Sequence, residues 1–378
     1  MADVVIVGGG MAGASLAIAL GRRGCRVDLF EAQTFPRDKP CGEGLMPSGV
    51  AALRRLGLDD DLGAPFQGVR YHTGSRVAVG RFPRDDGVEA CGRGQRRLVL
   101  DQQLFARAAA TNGVCAHAGT AVEGPLIESG RVIGVHVSGA TRHAALVVAA
   151  DGAHSRLRHR LGLNVPVPRS RIGVRRHFRL AGGRTAPPWV DIFLGDRHEF
   201  YVTPLPRGKV LVALLAEGDA LHPPLEPRFD RWRTEPAALR ELLDGAEPIS
   251  DLIATPLAAR ARIGFVPGAV LLGDAAGFLD PITGGGMAQA LVTSERLAEY
   301  IAADPAAPPE RWLPSFERDR RRLLRDYRLL TRGVLALARR PALARLALAG
   351  LAHAPHLFTH LVGVSAGTRR LWALGSRL

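Results

Sequence analysis

Gly8-x-Gly10-x-x-Gly13 constrains this chain more than any other feature, because it falls between a β-branched apolar run, Val4 to Val7, and an alanine-rich stretch, Met11 to Leu20. Strand, tight turn and helix is the order this spacing requires. Gly8 permits the turn, Gly10 lets the backbone approach a pyrophosphate, and Gly13 lets the helix pack on the strand. The helix N-terminus then faces the anion. Residues 25–31 have strand character again, so residues 1–31 read as one parallel βαβ unit closed by Glu31. A carboxylate there accepts a hydrogen bond from an adenosine ribose, so an adenine dinucleotide is the expected ligand.

Two further glycine turns follow buried strands. Residues 146–150 run into Asp151-Gly152-Ala153-His154-Ser155-Arg156-Leu157-Arg158, which by itself reads as a capped helix start. Residues 269–272 run into Gly273-Asp274, followed by Pro281 and by Gly284-Gly285-Gly286-Met287 at the start of a helix. An aspartate at a strand's carboxyl end can bind polyol hydroxyls, and bare helix-start N–H groups can cradle a group that gains negative charge. A reduced flavin is such a group.

The rest of the composition excludes other classes. With 378 residues, 47% hydrophobic and 23% charged, the chain is long enough for two domains and is neither disordered nor disulfide-stapled. Cys25, Cys41, Cys91 and Cys115 form no C-x-x-C pair, which fits a reducing cytoplasm. The net charge of +14 is almost all arginine, since Lys39 and Lys209 are the only lysines, and the arginines are scattered, so no nucleic-acid partner is expected. Residues 1–7 lack the basic start of a signal peptide, and no stretch suffices for a membrane span.

Together the motifs resemble the FAD-dependent oxidoreductases with the p-hydroxybenzoate hydroxylase-like fold, which include aromatic-ring monooxygenases, geranylgeranyl reductases and flavin-dependent halogenases. Gly8, Gly10, Gly13 and Glu31 match the dinucleotide fingerprint, and Arg97-x-x-Leu100-Asp101-x-x-Leu104 matches the R-x-x-L-D-x-x-L helix. Asp151, Gly152, Ser155 and Arg158 match D-G-x-x-S-x-x-R, and Gly273-Asp274 through Pro281 to Gly286 matches the flavin ribityl motif. The resemblance covers roughly residues 1–300. It implies non-covalent FAD held by Gly8, Gly10, Met11, Ala12, Gly13, Glu31, Ala32, Arg97, Val122, Asp151, Gly152, Gly273, Asp274, Pro281, Gly285, Gly286 and Met287.

The implied fold is α/β. A Rossmann-type FAD-binding domain is built from the discontinuous segments 1–70, 95–165 and 262–305; an antiparallel-sheet substrate domain takes 71–94 and 166–261; a helical C-terminal region takes 306–378. The implied activity is a monooxygenase using NAD(P)H and dioxygen on a hydrophobic aromatic or polyketide-like molecule, with reduction of isoprenoid or lipid double bonds as the alternative. Lys39-Pro40-Cys41-Gly42-Glu43-Gly44-Leu45 resembles the geranylgeranyl reductases, whereas Tyr201-Val202-Thr203-Pro204-Leu205-Pro206 keeps only the Tyr and Pro of their Y-x-W-x-F-P motif. No second glycine turn for NAD(P)H is visible, so the nicotinamide visits transiently or a partner reductase replaces it.

Cys41, Glu43 and Tyr201 are the candidate catalytic residues, beside a flavin that carries the redox chemistry itself. His177, His198, His353, His356 and His360 lack acid or cysteine partners, so no metal is expected and they read as surface or packing residues. From Arg318 to Leu351, leucines and arginines alternate as an amphipathic helix broken at Pro341. Either the leucines pack on the domains and the arginines face water, or the tail brings a lipophilic substrate in from a membrane surface, making the protein membrane-associated as well as cytoplasmic.

Overall fold

The computed structural model describes residues 2–59, 61–74, 76–85, 88–167, 171–220, 223–257 and 259–372. Residues 373–378 of the expected C-terminal region lie outside them. The βαβ expectation holds in detail: the strand Ala2–Val7, the helix Met11–Gly21 and the parallel strand Val27–Phe30 follow in order. Every residue of that helix is buried, which its small, apolar composition allows. It packs on the helices Arg97–Ala109 and Gly286–Ala303.

Four parallel strands set up the site. Val27–Phe30, Ala2–Val7, the second half of Ala140–Ala149, and Ala269–Leu271 lie side by side, with Val7 opposite both Phe30 and Ala149, and Ala149 opposite Leu271. Their carboxyl ends are therefore level. The loops beginning at Gly8, Glu31, Ala150 and Leu272 all leave from one edge, where ligands of open parallel sheets bind. Val114–His117 extends the sheet on one side, and the hairpin Val122–Glu128 with Arg131–Val137 on the other.

A second eight-stranded sheet, mostly antiparallel, includes Gly68–Thr73, Arg76–Arg81, Arg171–Arg179, Val190–Leu194, His198–Leu205 and Lys209–Glu217. The strand Gly68–Thr73 crosses the expected boundary at residue 70 and pairs entirely within this sheet. One face buries Phe178, Phe200, Val212 and Leu214 under helices Leu225–Arg233 and Ala237–Leu242. On the other face Tyr71, Ile192, Tyr201, Ala213 and Arg175 stand in register as one row.

The C-terminal region is helical, as expected, with a break inside residues 318–351 besides the one at Pro341. It forms Leu313–Leu323, Arg325–Ala338, Pro341–His353 and Pro355–Ser365. Pro341 does start a helix, since its ring is tolerated only in a first turn, but the chain also breaks at Leu324 and at Ala354, ahead of Pro355. The last two helices pack over the strand Arg76–Arg81.

Candidate cofactor and substrate site

The glycines of the first turn divide into two roles. Gly8 has φ +108°, and a Cβ on it would lie 2.4 Å from the Ala150 carbonyl oxygen; one on Gly13 would lie 1.9 Å from the Gly8 oxygen. Both are required by backbone packing. A Cβ on Gly10 would meet first the end of the Arg37 side chain, at 3.2 Å, with Arg97 and Asp101 atoms at 3.8 Å, and this position opens onto the cavity. Glu31 accepts hydrogen bonds from the Gly9 and Gln33 amides at 2.9 and 3.1 Å and pairs with Arg37 at 3.1 Å. Arg37 also reaches Asp101, which receives a two-pronged ion pair from Arg97 at 2.7 Å. Burial works against the Arg97 charge, but Asp101 and the Cys41 thiol more than restore it and raise its pKa.

The other two turns face this one. Asp151 accepts from the Leu157 amide at 3.2 Å through one carboxylate oxygen, while its other oxygen is buried without a partner. Ser155 caps the helix Arg156–Arg160, and Arg158 donates to the carbonyls of Ala153 and Ala275. Lys39 lies 3.4 Å from Asp274. A Cβ on Gly286 would meet nothing within 4 Å, whereas one on Gly285 would lie 2.3 Å from the Tyr327 ring.

One cavity of about 920 Å³ joins these parts. It is bordered by Gly8, Gly10, Met11, Ala12, Glu31, Ala32, Arg97, Val122, Asp151, Gly152, Gly273, Asp274, Pro281, Gly286 and Met287. Gly13 and Gly285 do not border it; each instead permits a close contact behind the wall. At its far end the cavity is apolar, walled by Tyr71, Ile192 and Leu194 of the second sheet and by Leu330, Val334, Leu348, Leu351 and Leu361 of the C-terminal helices.

Cys41, Glu43 and Tyr201 all border the cavity, with different freedom. Cys41 is half-buried and its sulfur accepts from the Glu43 amide at 3.4 Å. The Tyr201 hydroxyl donates to the Ile282 carbonyl at 3.0 Å; burial, with the Glu199 carboxylate adding to it, pushes the phenol well above its usual range, so it stays a neutral donor. Each Glu43 carboxylate oxygen has one partner, the Arg97 amide at 3.1 Å and His177 at 2.8 Å.

His177 is buried, as a packing residue would be, but it does have an acid partner: its side chain has no solvent exposure and its ring is held by Glu43, Ser250 and Arg175. The other histidines make local contacts, His198 stacking on Trp232 and His353 reaching Ala349 in its own helix. Also missed was a buried cluster in which Arg171 holds both Glu199 and Asp280 beneath Tyr201. Burial pushes Glu199 up to about 7, with Arg171 only partly offsetting it. Among the described residues, Asp28, Cys115 and His117 bring ligand atoms within 4.8 Å of one another, and none of the three borders the cavity.

The polar end fits FAD. Gly10 and Gly286 leave room for backbone approach, the Asp151 oxygen lacks a partner, and helix N-termini face the cavity from both sides. Residues 1–327 match the FAD binding domain family. Menaquinone reductase of Mycolicibacterium smegmatis is 31% identical over 353 residues, covering 85% of this chain and 83% of that protein. Digeranylgeranylglycerophospholipid reductase 1 of Methanopyrus kandleri is 29% identical over 326 residues, covering 80% of each. A solved flavoprotein/dehydrogenase from Cytophaga hutchinsonii shares the fold with a TM-score of 0.84 at 20% identity, over 97% of this chain and 92% of that one. The level strand ends, the two opposed glycine turns and the match over residues 1–327 place this chain in the FAD binding domain family, as an FAD-dependent oxidoreductase of the p-hydroxybenzoate hydroxylase-like superfamily.

Proposed function

We propose that this protein is an FAD-dependent reductase that saturates carbon–carbon double bonds of an isoprenoid or other lipid chain, with NAD(P)H as transient reductant. The observation that carries the reading is the single cavity that runs from the glycine turns to an apolar wall of leucines, valine and aromatic side chains. That wall excludes water and suits a long hydrocarbon better than a small phenol. Reduced flavin would supply the hydride. The chain's own part is to hold the adenosine end at Glu31, the pyrophosphate near Gly10, Arg37 and Arg97, and the ring system near Gly286 and Met287, with Cys41, Glu43 and Tyr201 around the reacting carbons.

The sequence alone put oxygen insertion first. Reduction comes first here because the two reductases described above are similar over 80–85% of this chain, one of them a reductase of a geranylgeranyl lipid, while squalene epoxidase 2 of Arabidopsis thaliana, similar over 76%, supports oxygen insertion. Oxygen insertion is the second reading, favoured by the apolar cavity wall, which would shield a reactive oxygen species from water. Incubation of the FAD-loaded protein with NADPH and a polyunsaturated isoprenoid lipid under nitrogen separates the two. Product that has gained two hydrogens without oxygen supports reduction; product formed only in air, carrying label from isotopic dioxygen, supports insertion.

A further inference from the structure

Glu43 joins two distant parts of the fold. It sits in the loop beside the cavity with φ +56°, a left-handed conformation that non-glycine residues seldom hold without compensation. One carboxylate oxygen accepts from the Arg97 amide. The other meets His177 Nε2 at 2.8 Å, and both side chains are fully buried. On the far side of the imidazole, Nδ1 lies 3.2 Å from an Arg175 guanidinium nitrogen and 3.0 Å from the Ser250 hydroxyl. Ser250 is half-buried and adjoins the exposed Asp251. A continuous line of hydrogen-bonding groups thus crosses the strand Arg171–Arg179, from the cavity to the loop between Glu247–Pro248 and Ile253–Pro256.

The tautomer follows from the partners. Arginine can only donate, so Nδ1 accepts and the ring proton of the neutral imidazole sits on Nε2, where it donates to Glu43. Arg175 is itself paired with Asp38 at 2.8 Å. The other charged neighbour, Arg97, presents its amide to Glu43 while its guanidinium turns to Asp101. An imidazole contacted on both sides, by a carboxylate and by a near-surface hydroxyl, is suited to passing protons.

We infer that Ser250, His177 and Glu43 form a proton relay from solvent to the flavin cavity. The inference rests on the reductase reading for its purpose. Saturating one double bond takes a hydride, with both electrons, from the NAD(P)H-reduced cofactor onto one carbon, and a proton onto the other. In the relay the His177 Nε2–H bond breaks as Glu43 takes that proton, and Glu43 passes one on as the second C–H bond forms; Nδ1 then takes a proton from water through Ser250, and its return to Nε2 restores the starting tautomer. NAD(P)H is oxidised and the double bond reduced. His177 and Ser250 act through Glu43 as positioning residues.

The test compares wild-type protein with His177→Gln and Ser250→Ala, all loaded with FAD. Bound FAD is reduced anaerobically by reduced methyl viologen, a donor of electrons without protons, while a pH-indicator dye follows proton uptake. The reduced proteins are then mixed with an isoprenoid lipid across a pH series. In His177→Gln, proton uptake and reoxidation by the lipid should each slow by about tenfold to a hundredfold and lose their pH dependence, with FAD content unchanged. Ser250→Ala should show the same direction more weakly. Uptake and pH profile equal to wild type in both variants would overturn the relay. Slowed uptake together with no reoxidation of wild type by any lipid keeps the relay and removes the reductase reading. If His177→Gln does not retain FAD, Ser250→Ala decides.

Discussion

Arg158 reaches across from the helix Arg156–Arg160 to the Ala275 carbonyl, 3.0 Å away, and so ties the turn after one central strand to the turn after its neighbour. The same guanidinium holds the Ala153 carbonyl at 2.6 Å and Asn164 at 3.1 Å. The arginine of the D-G-x-x-S-x-x-R motif is thus a brace between loops in this protein. Arg158→Met should leave the Ala153 and Ala275 carbonyls unpaired, at about 1–3 kcal/mol each, and weaken FAD binding by at least about tenfold. Fluorescence titration with FAD and urea unfolding measure the two effects. Unchanged FAD affinity would refute the brace.

Gly10 and Gly13 should separate cofactor binding from folding. A valine at Gly13 would collide with the Gly8 oxygen at the helix's first turn, so Gly13→Val is expected to destabilise the protein by about 3 kcal/mol or more. Gly10→Ala meets the Arg37 guanidinium at 3.2 Å, which a shift of a few tenths of an ångström relieves, and should unfold within about 1 kcal/mol of wild type, yet bind FAD at least about tenfold more weakly because its methyl occupies the backbone's approach to the ligand. Equal losses of FAD and stability in both variants would contradict the division of roles.

Glu199 gives stability a definite slope with pH. Its folded pKa of about 7 lies above the unfolded value, so its proton is held more tightly in the folded state. That contribution is fully present below the unfolded pKa and is lost as pH rises through about 7. Asp280 is raised by burial and acts in the same direction. Between about pH 5 and about pH 8, wild type should lose on the order of 2–3 kcal/mol more than Glu199→Gln in urea unfolding. A parallel decline in both proteins would show that Glu199 ionises freely in the fold.

Leu346 and Ala347 are neighbours on the helix Pro341–His353 with opposite surroundings: Ala347 borders the cavity, while Leu346 is 70% exposed near the exposed Leu343. Ala347→Trp should raise KM for a long-chain substrate by about tenfold or more without changing FAD affinity, as a bulky ring fills the wall. If the tail meets lipid, Leu346→Glu should lower flotation with anionic vesicles at low salt. Wild-type protein that stays unbound at low salt would assign the tail to core packing alone. Among the described residues no helix is long and apolar enough to cross a membrane.

What the sequence reveals here follows how local each feature is. Gly8, Gly10, Gly13 and Glu31 lie within one βαβ unit, so spacing alone specifies their geometry. The ends of the four strands were legible because each is followed within two residues by a glycine or an acidic side chain: Gly8, Glu31, Asp151 and Gly273. His177 was not legible: Glu43 is separated from it by 134 residues, and a histidine on an alternating strand gives no sign of which buried acid it will meet. Arg171, Glu199 and Asp280 come from three separate segments in the same way. Gly285 shared a triplet with Gly286, and only packing distinguishes the one against Tyr327 from the one open toward the cavity. The leucines at helical spacing after Arg318 showed helices, but the breaks at Leu324 and Ala354 and the hollow beneath them depend on the sheet they cover.

The most direct measurement is a single anaerobic turnover followed by flavin absorbance. FAD-loaded protein, reduced with one equivalent of NADPH so that the yellow oxidised band is bleached, is mixed without oxygen with a geranylgeranyl lipid. For a reductase, the oxidised band returns as the lipid gains two hydrogens, one pair per flavin. A flavin that stays bleached until air is admitted, with oxygen then appearing in the lipid, would contradict reduction.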